Sequence, residues 1–345
     1  MIPIQNIYYM LSYAFQILNE QGYKNIATER FNNTAELMAA ILEKGIAIQL
    51  KRGLGKEYIS QTEALSSLRG KIDIAESIKT QSMLRKQLIC TYDEFSVNSI
   101  MNRIIKSTVE LLLCSNISKQ RKKNLRKLMV YFSEVDFIDL YTVNWNVQYN
   151  RNNQTYRMLI SICYLVVKGL LQTQSNGHTE LMDFLDEQRM CRLYEKFILE
   201  YYRKEFKNQF TANASQIPWQ LDNEENSMLP VMQSDIMLQS GEKVLIIDAK
   251  YYEHSTQVQF DKHTLHSGNL YQIFTYVKNK EYELREKDHT VSGMLLYAKT
   301  DEEIYPNNVY QMSGNQITVR TLDLNLPFDE IAGQLNTIAK THFDL

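Results

Sequence analysis

Apolar residues recur at helical spacing from the first turn of the chain. Ile4, Ile7, Tyr8, Leu11 and Phe15 share a stripe, and Pro3 suits a first helical turn. Leu37, Met38, Ile41 and Leu42 predict a second helix, capped by Asn33 or Thr34. The helical period fades near Lys51-Arg52-Gly53-Leu54-Gly55. Short strands are expected within Tyr58–Ile74 and Gln87–Val97, with Arg69-Gly70-Lys71 at a turn or bulge. Ser99–Cys114 is an amphipathic helix carrying Ile100, Ile104, Ile105, Val109 and Leu112. Tyr141–Val147 predicts one more strand, and Tyr156–Leu171 a helix.

The polar run from Gln172 to His178 contains a glycine and predicts a domain junction. Beyond it, Met190, Leu193, Tyr194, Phe197, Ile198 and Tyr201 keep helical spacing through roughly Phe206. Strands are expected at Asn208–Ala214 and Leu229–Leu238, around a polar loop at Asp222–Ser227. Val291–Tyr297 predicts a further strand, beside the one that carries Asp248. A terminal helix runs from Phe328 to Phe343.

Between these elements lies a hairpin pattern. Gln233–Leu238 and Lys243–Tyr252 are apolar runs flanking the turn residues Gln239-Ser240-Gly241-Glu242. With Ser240-Gly241 as the loop, Asp235 faces Ile246, and Asp248 lies two residues further along on the same face. Such diagonal neighbours are roughly 7–8 Å apart. Lys250 returns to that face because strand side chains alternate. Two carboxylates this close raise each other's pKa unless a cation lies between them. A divalent metal removes the conflict, and Mg²⁺ takes one or two carboxylates while keeping several waters. An ammonium beside it can hold an attacking water or neutralise a phosphate oxygen. Asp, Asp and Lys around Mg²⁺ form a site for phosphodiester hydrolysis. A helix follows, in which Gln272 and Tyr276 are four apart and share a face.

Composition narrows the function classes. The 345 residues suffice for two domains, and 44% hydrophobic with 23% charged residues is ordinary for a globular protein. A net charge of −2 leaves no global basic field, so a nucleic-acid surface must be local. One such tract is Ser118–Lys127, where Lys119, Arg121, Lys122, Lys123, Arg126 and Lys127 occur with no acid. It reads either as a surface for DNA phosphates or an acidic partner, or as a solvated helix face. Cys90, Cys114, Cys163 and Cys191 lack C-x-x-C spacing and read as reduced thiols of a cytoplasmic protein. The N-terminus lacks a signal-peptide pattern, and the longest apolar run, Met158–Val167, is too short for a bilayer. Gly55-Lys56 is followed by Glu57, so no P-loop and no nucleotide site are expected. His254, His263 and His266 do not have zinc-ligand spacing.

Asp235, Asp248 and Lys250 followed by Gln272-x-x-x-Tyr276 resemble the PD-(D/E)xK nuclease superfamily and its Q-x-x-x-Y element. The resemblance narrows with Ile2-Pro3-Ile4-Gln5-Asn6-Ile7-Tyr8-Tyr9, Leu68-Arg69-Gly70-Lys71-Ile72, Asn102-Arg103-Ile104-Ile105-Lys106 and Ile247-Asp248-Ala249-Lys250-Tyr251-Tyr252. Together these resemble the McrC family, endonuclease subunits of the McrBC 5-methylcytosine-specific restriction systems. The resemblance implies an α/β fold, with a C-terminal restriction-endonuclease-like mixed sheet flanked by helices (residues 175–345) behind an N-terminal α+β domain (residues 1–174). It implies Mg²⁺ held by Asp235, Asp248 and the Ala249 carbonyl, Lys250 activating or positioning the water, and Gln272 and Tyr276 orienting the lysine or the DNA backbone. A preceding helix often adds a carboxylate in that superfamily; Glu195 and Glu200 are the candidates, and Glu200 is preferred. The implied partners are double-stranded DNA and an McrB-like GTP-hydrolysing AAA+ hexameric ring, which the N-terminal domain docks into and stimulates. Two rivals stand beside this reading: a stand-alone RecB- or Cas4-like DNA exonuclease, and a non-catalytic regulator of a partner ring NTPase. Dispersed cysteines fit an iron–sulfur Cas4 protein poorly, and intact Asp235, Asp248 and Lys250 argue against a dead nuclease.

Overall fold

The structure is a computed structural model. It describes all residues except 1, 16–17, 19–22, 24–25, 27–28, 30, 32, 151–152, 154, 176–186, 223–227, 253–256, 260–261 and 300–304. Two compact units form: Met1–Phe31 together with Asp183–Leu345, and Asn32–Met182. The first helix therefore belongs with the C-terminal unit, not with the rest of residues 1–174. The cause is side-chain chemistry in α1 (Ile4–Ala14). Asn6 Nδ2 donates to the carbonyls of Leu324 at 2.7 Å and Leu326 at 2.8 Å. Tyr9 stacks on Phe328 at 4.5 Å, and Tyr13 packs against Phe197 and Tyr201.

The Asn32–Met182 unit begins with α2 (Thr34–Arg52), capped by Asn33, which accepts from Glu36 N at 2.8 Å. Three antiparallel strands, β1 (Glu57–Leu65), β2 (Lys71–Asp73) and β3 (Leu88–Ser96), take the order β1-β3-β2. Gly70 has φ +69°, and a Cβ there would lie 2.3 Å from the Thr91 carbonyl oxygen, so only glycine fits this entry to β2. After α3 (Ile74–Lys79) come α4 (Ile100–Cys114), α5 (Lys119–Met129) and α6 (Tyr156–Ser175). Asn102 on α4 is fully buried. It donates to the carbonyls of Gly55 and Val97 and accepts from the Tyr156 hydroxyl, which itself accepts from Gly55 N. The glycine-containing stretch after α2 is thus held as a structural tie.

One expectation fails in this unit, and the expected junction falls partly outside the described residues. Tyr141–Val147 forms no strand. Asp139 accepts from Tyr141 N and Thr142 N, and Asn144 accepts from Asn146 N, so local turns take the backbone donors a strand would need. The expected junction at Gln172–His178 instead begins inside α6, which continues to Ser175; residues 176–178 lie outside the described residues. The loop expected at Asp222–Ser227 lies outside them from 223 onwards.

The other unit is built on a six-stranded mixed sheet. Its strands are β4 (Thr211–Asn213), β7 (Ile236–Ser240), β8 (Lys243–Lys250), β11 (Thr290–Ala298), β12 (Asn308–Met312) and β13 (Asn315–Leu322). The order is β12-β13-β11-β8-β7-β4. β8, β11 and β13 run parallel, and the remaining pairs are antiparallel. Small two-stranded ladders pair β5 (Gln216–Ile217) with β6 (Met232–Gln233), and β9 (Gln257–Gln259) with β10 (Lys262–Thr264). β11 lies beside β8, as the apolar run predicts; β12 and β13 were not anticipated. Helix α7 (Glu187–Glu205) precedes the sheet, α8 (Ser267–Glu283) follows β10, and α9 (Phe328–Phe343) ends the unit. Val244, Ile246, Leu295, Ile317 and Val319 pack on one face with Ile273, Tyr276 and Val277 of α8. α9 is fixed to α7 by Tyr202, whose hydroxyl donates to Leu335 O, and by Tyr201, whose hydroxyl donates to Asn336 Oδ1.

Candidate functional site

The hairpin turn is one residue later than expected. Ser240 pairs with Lys243, so Gly241-Glu242 are the loop residues. Gly241 carries φ +58°, the positive value favoured for glycine at the first central position of such turns. The ladder ends at Ile236 opposite Ile247, and Met237, not Asp235, faces Ile246. Asp235 follows one residue beyond the ladder, level with Asp248. The register differs from the expected one by two residues, which preserves the face. Asp235, Asp248 and Lys250 therefore stay on one side of the sheet.

Each of these groups is constrained. Asp235 Oδ2 accepts from Ala249 N at 2.9 Å. Asp248 is 1% exposed, and neither of its oxygens has a hydrogen-bond partner of good geometry among the described residues. Lys250 Nζ lies 2.9 Å from Asp248 Oδ2 as an ion pair. The lysine also donates to Gln272 Oε1 at 3.3 Å, and Gln272 Nε2 donates to the Tyr276 hydroxyl at 2.9 Å. A continuous chain therefore runs from Asp248 through Lys250 and Gln272 to Tyr276.

Electrostatics follow from burial. Loss of water pushes Asp248 up to about 7, with Lys250 opposing and Asp235 reinforcing the rise. Asp235 is raised by burial against the pull of Lys250 and the Ala249 N–H. Burial disfavours the Lys250 ammonium, but Asp248 and Asp235 outweigh it and hold the lysine above its usual value. The site thus holds an ammonium and two carboxylates that resist ionising together.

Of the two glutamates on α7, Glu195 turns towards this site and Glu200 does not. Burial raises Glu195, and the Asp235 charge is the next cause. Glu195 also accepts from Cys191 Sγ at 3.1 Å. Glu200 instead pairs with Arg203 at 2.8 Å. Glu195, Arg192, Ser234 and Asp235 line a cleft of about 380 Å³. The preference for Glu200 is therefore reversed, because the roll of α7 is set by its apolar stripe. Among the described residues no group of three His, Cys, Asp or Glu side chains is close enough to hold a metal.

A supporting network centred on Asn269 has no counterpart in the sequence pattern. Asn269 Nδ2 donates to the Tyr297 hydroxyl at 2.9 Å, and Asn269 Oδ1 accepts from Tyr252 at 3.4 Å. Asn269 lies three residues before Gln272 on α8, a spacing that places the two on neighbouring positions. Among the histidines, His254 and the side chain of His263 lie outside the described residues. His266 occupies the position before α8 without a side-chain cap bond, its ring 5.3 Å from that of Tyr252. In the basic tract, Arg121 is already committed: it pairs with Glu36 at 3.4 Å and Glu43 at 2.8 Å, acids supplied by α2. Lys119, Lys122, Lys123, Arg126 and Lys127 have no ion pair among the described residues.

A mixed sheet whose interior strand β8 ends in a buried carboxylate and a lysine, faced by a second carboxylate, defines the class: an α/β protein with an acid–lysine site at the carboxyl end of that strand. The chain belongs to the family described as McrBC 5-methylcytosine restriction system component, whose model matches residues 5–298. It is 30% identical, over 94% of its length and 93% of the relative's, to the type IV methyl-directed restriction enzyme EcoKMcrBC of Escherichia coli K12. Its fold resembles a chain of the half-complex of Thermococcus gammatolerans McrB AAA+ hexamers with bound McrC. That match has a TM-score of 0.50 and 18% identity, and covers 97% of this chain and 76% of that one. A second Thermococcus gammatolerans McrBC structure matches 59% of each chain, with a TM-score of 0.41 and 21% identity. Among the described residues no helix is long and apolar enough to cross a membrane.

Proposed function

We propose that this chain is the metal-dependent endonuclease subunit of a GTP-dependent, modified-cytosine-specific restriction complex, with a PD-(D/E)xK site. One observation carries the reading: Asp248 is buried at the end of β8, level with Asp235, and the Lys250 ammonium 2.9 Å from its Oδ2 is the one cation facing the two acids among the described residues. Two buried carboxylates against a single ammonium resist ionising together unless a further cation completes them. The donor set fits Mg²⁺, which accepts one or two carboxylates and keeps its own waters. Asp235 and Asp248 would hold it, with the Ala249 carbonyl as a further ligand. When bound, the ion supplies Lewis-acid stabilisation of charge building on the phosphoryl group.

The remaining work belongs to the side chains. Asp235 is fixed by the Ala249 N–H, so its free oxygen has a set direction. Lys250 stays protonated, and its ammonium neutralises a phosphate oxygen or positions the attacking water. Gln272 fixes the rotamer of Lys250, and Tyr276 fixes Gln272.

The Thermococcus assembly contains McrB AAA+ hexamers with bound McrC. From it we carry over a ring partner, with the Asn32–Met182 unit as the docking and GTPase-stimulating part. In support, Leu68, Ile74, Ile78, Met83 and Leu84 are each at least 55% exposed in this unit. Clustered exposed apolar side chains of this kind mark interaction sites. The decisive experiment incubates methylated plasmid with the chain, its ring partner, GTP and Mg²⁺. Asp248→Asn is expected to abolish cleavage while ring binding and GTP hydrolysis persist. Cleavage at the wild-type rate would refute the site.

A further inference from the structure

A second cleft, of about 340 Å³, opens beside β13 and α9 and is lined by Leu296, Tyr305, Asn307, Arg320, Gln334 and Thr337. Strand alternation puts Arg320 on the sheet face opposite Val319, away from Asp248 and Lys250. Arg320 Nε is buried and has no hydrogen-bond partner, and no carboxylate among the described residues pairs with the guanidinium. Several polar groups around it are otherwise engaged. Asp323 pairs with Lys299 at 2.7 Å. Gln334 Oε1 accepts from Asp323 N at 3.2 Å, and Thr337 Oγ1 donates to Gly333 O at 2.8 Å. The Tyr202 hydroxyl, which feels the Arg320 charge, donates to Leu335 O at 3.0 Å.

A guanidinium offers five donors in a planar fork and cannot shed its proton to relieve burial. Arg320 is half-buried, and its Nε, buried without an acceptor among the described residues, carries a desolvation penalty that an anion removes. Its placement suits a ligand. Arg320 is level with Leu296, and Leu296 with Ala249, across β13, β11 and β8. Two strand spacings of about 4.8 Å put Arg320 roughly 10 Å from the candidate catalytic strand. The carboxyl ends of parallel strands are where open α/β sheets take ligands. The exposed Asn307 adds an amide donor at the rim.

We infer that the Arg320 cleft is an oxyanion site that takes a phosphate group through the guanidinium fork. The phosphate comes either from the backbone of a bound nucleic acid or from free phosphate. The site stands on the cleft alone and does not need the nuclease reading.

The test is thermal unfolding of the full chain with inorganic phosphate, titrated against chloride at constant ionic strength. A ligand that binds only the native state raises the midpoint saturably, by a few degrees at high occupancy. Wild type should show that rise and Arg320→Met should not. Thr337→Glu, a change at an exposed helix position, supplies a carboxylate within the cleft and should also abolish the rise while the chain stays folded. No phosphate-dependent rise in wild type, or an equal rise in wild type and both variants, overturns the site. Duplex binding by anisotropy separates the sources. If the phosphate belongs to nucleic acid, free phosphate weakens duplex binding in wild type but not in Arg320→Met. If duplex affinity is the same in wild type and Arg320→Met while the midpoint still rises in wild type, the ligand is free phosphate.

Discussion

Lys250 donates to the side-chain oxygen of Gln272, and the nitrogen of the same amide is spent on Tyr276. An amide used at both ends cannot flip without losing both bonds. Gln272→Leu should therefore free the lysine and lower DNA cleavage by about 10- to 100-fold, the worth of a hydrogen bond to a charged group. Tyr276→Phe should have a smaller effect of the same sign. A single-turnover cleavage assay reads both, and an unchanged rate in Gln272→Leu would show that the amide does not position Lys250.

Asp248→Asn should lower the stability of the metal-free chain, because it strands the largely buried Lys250 ammonium that Asp248 holds at 2.9 Å. Added Mg²⁺ should stabilise wild type and not the variant. Calorimetry with and without Mg²⁺ checks the pair, and equal Mg²⁺ effects would remove Asp248 from the ligand set.

Glu195→Gln should alter cleavage, whereas Glu200→Gln should leave it unchanged. The first lines the cleft with Asp235, and the second is held by Arg203. Parallel cleavage assays of the two variants decide; the opposite ranking would mean that α7 is rolled differently.

Stability should fall as pH drops below 6.5 in part because of His342. Burial, then the Lys243 charge, lower its pKa below the usual 6.5. The unfolded chain therefore binds the extra proton first, and stability contributed by the neutral ring is lost between 6.5 and the lower folded value. His342→Gln should flatten the pH dependence of urea unfolding in that window. An unchanged slope would refute the assignment.

Removing Lys119, Lys122, Lys123 and Lys127 together, as Gln, tests the exposed face of α5. If that face meets duplex phosphates, the slope of log K against log salt falls by about 0.9 per lost contact. Loss of ring binding with duplex affinity intact would mark a docking surface, and no change in either would mark a solvated face. Arg121 must be left in place, because its removal strands Glu36 and Glu43 and destabilises the unit for another reason.

The acid–lysine face was readable because local period fixes it. A slip of two residues in the hairpin left Asp235, Asp248 and Lys250 on one side; a slip of one would have reversed them. Gln272 and Tyr276 were readable through helical spacing. What escaped depends on partners remote in sequence. The choice between Glu195 and Glu200 needs the roll of α7 against its sheet. Arg121 looked unopposed because its acids lie on α2. The pair β12 and β13 did carry a local signal, Ser313-Gly314 between alternating runs, with Gly314 at φ +93°. Arg320 alternates with the apolar residues of β13 and gives no sign in sequence that it will lack a partner.

The bonds from Asn6 to Leu324 and Leu326 also set a schedule for synthesis. Asn6 is made 318 residues before its first acceptor. At 5–20 residues per second, α1 waits on the order of 15–60 s for the segment that secures it. Until α7 and the Leu324–Phe328 segment have been made, α1, whose Tyr8 and Leu11 are buried in the finished unit, lacks the neighbours that cover it there. Meanwhile the Asn32–Met182 unit emerges whole and can fold first. The newborn chain thus spends most of its time on the ribosome as a folded guest domain trailing an unsatisfied apolar helix, a form suited to chaperone capture until the last strand appears.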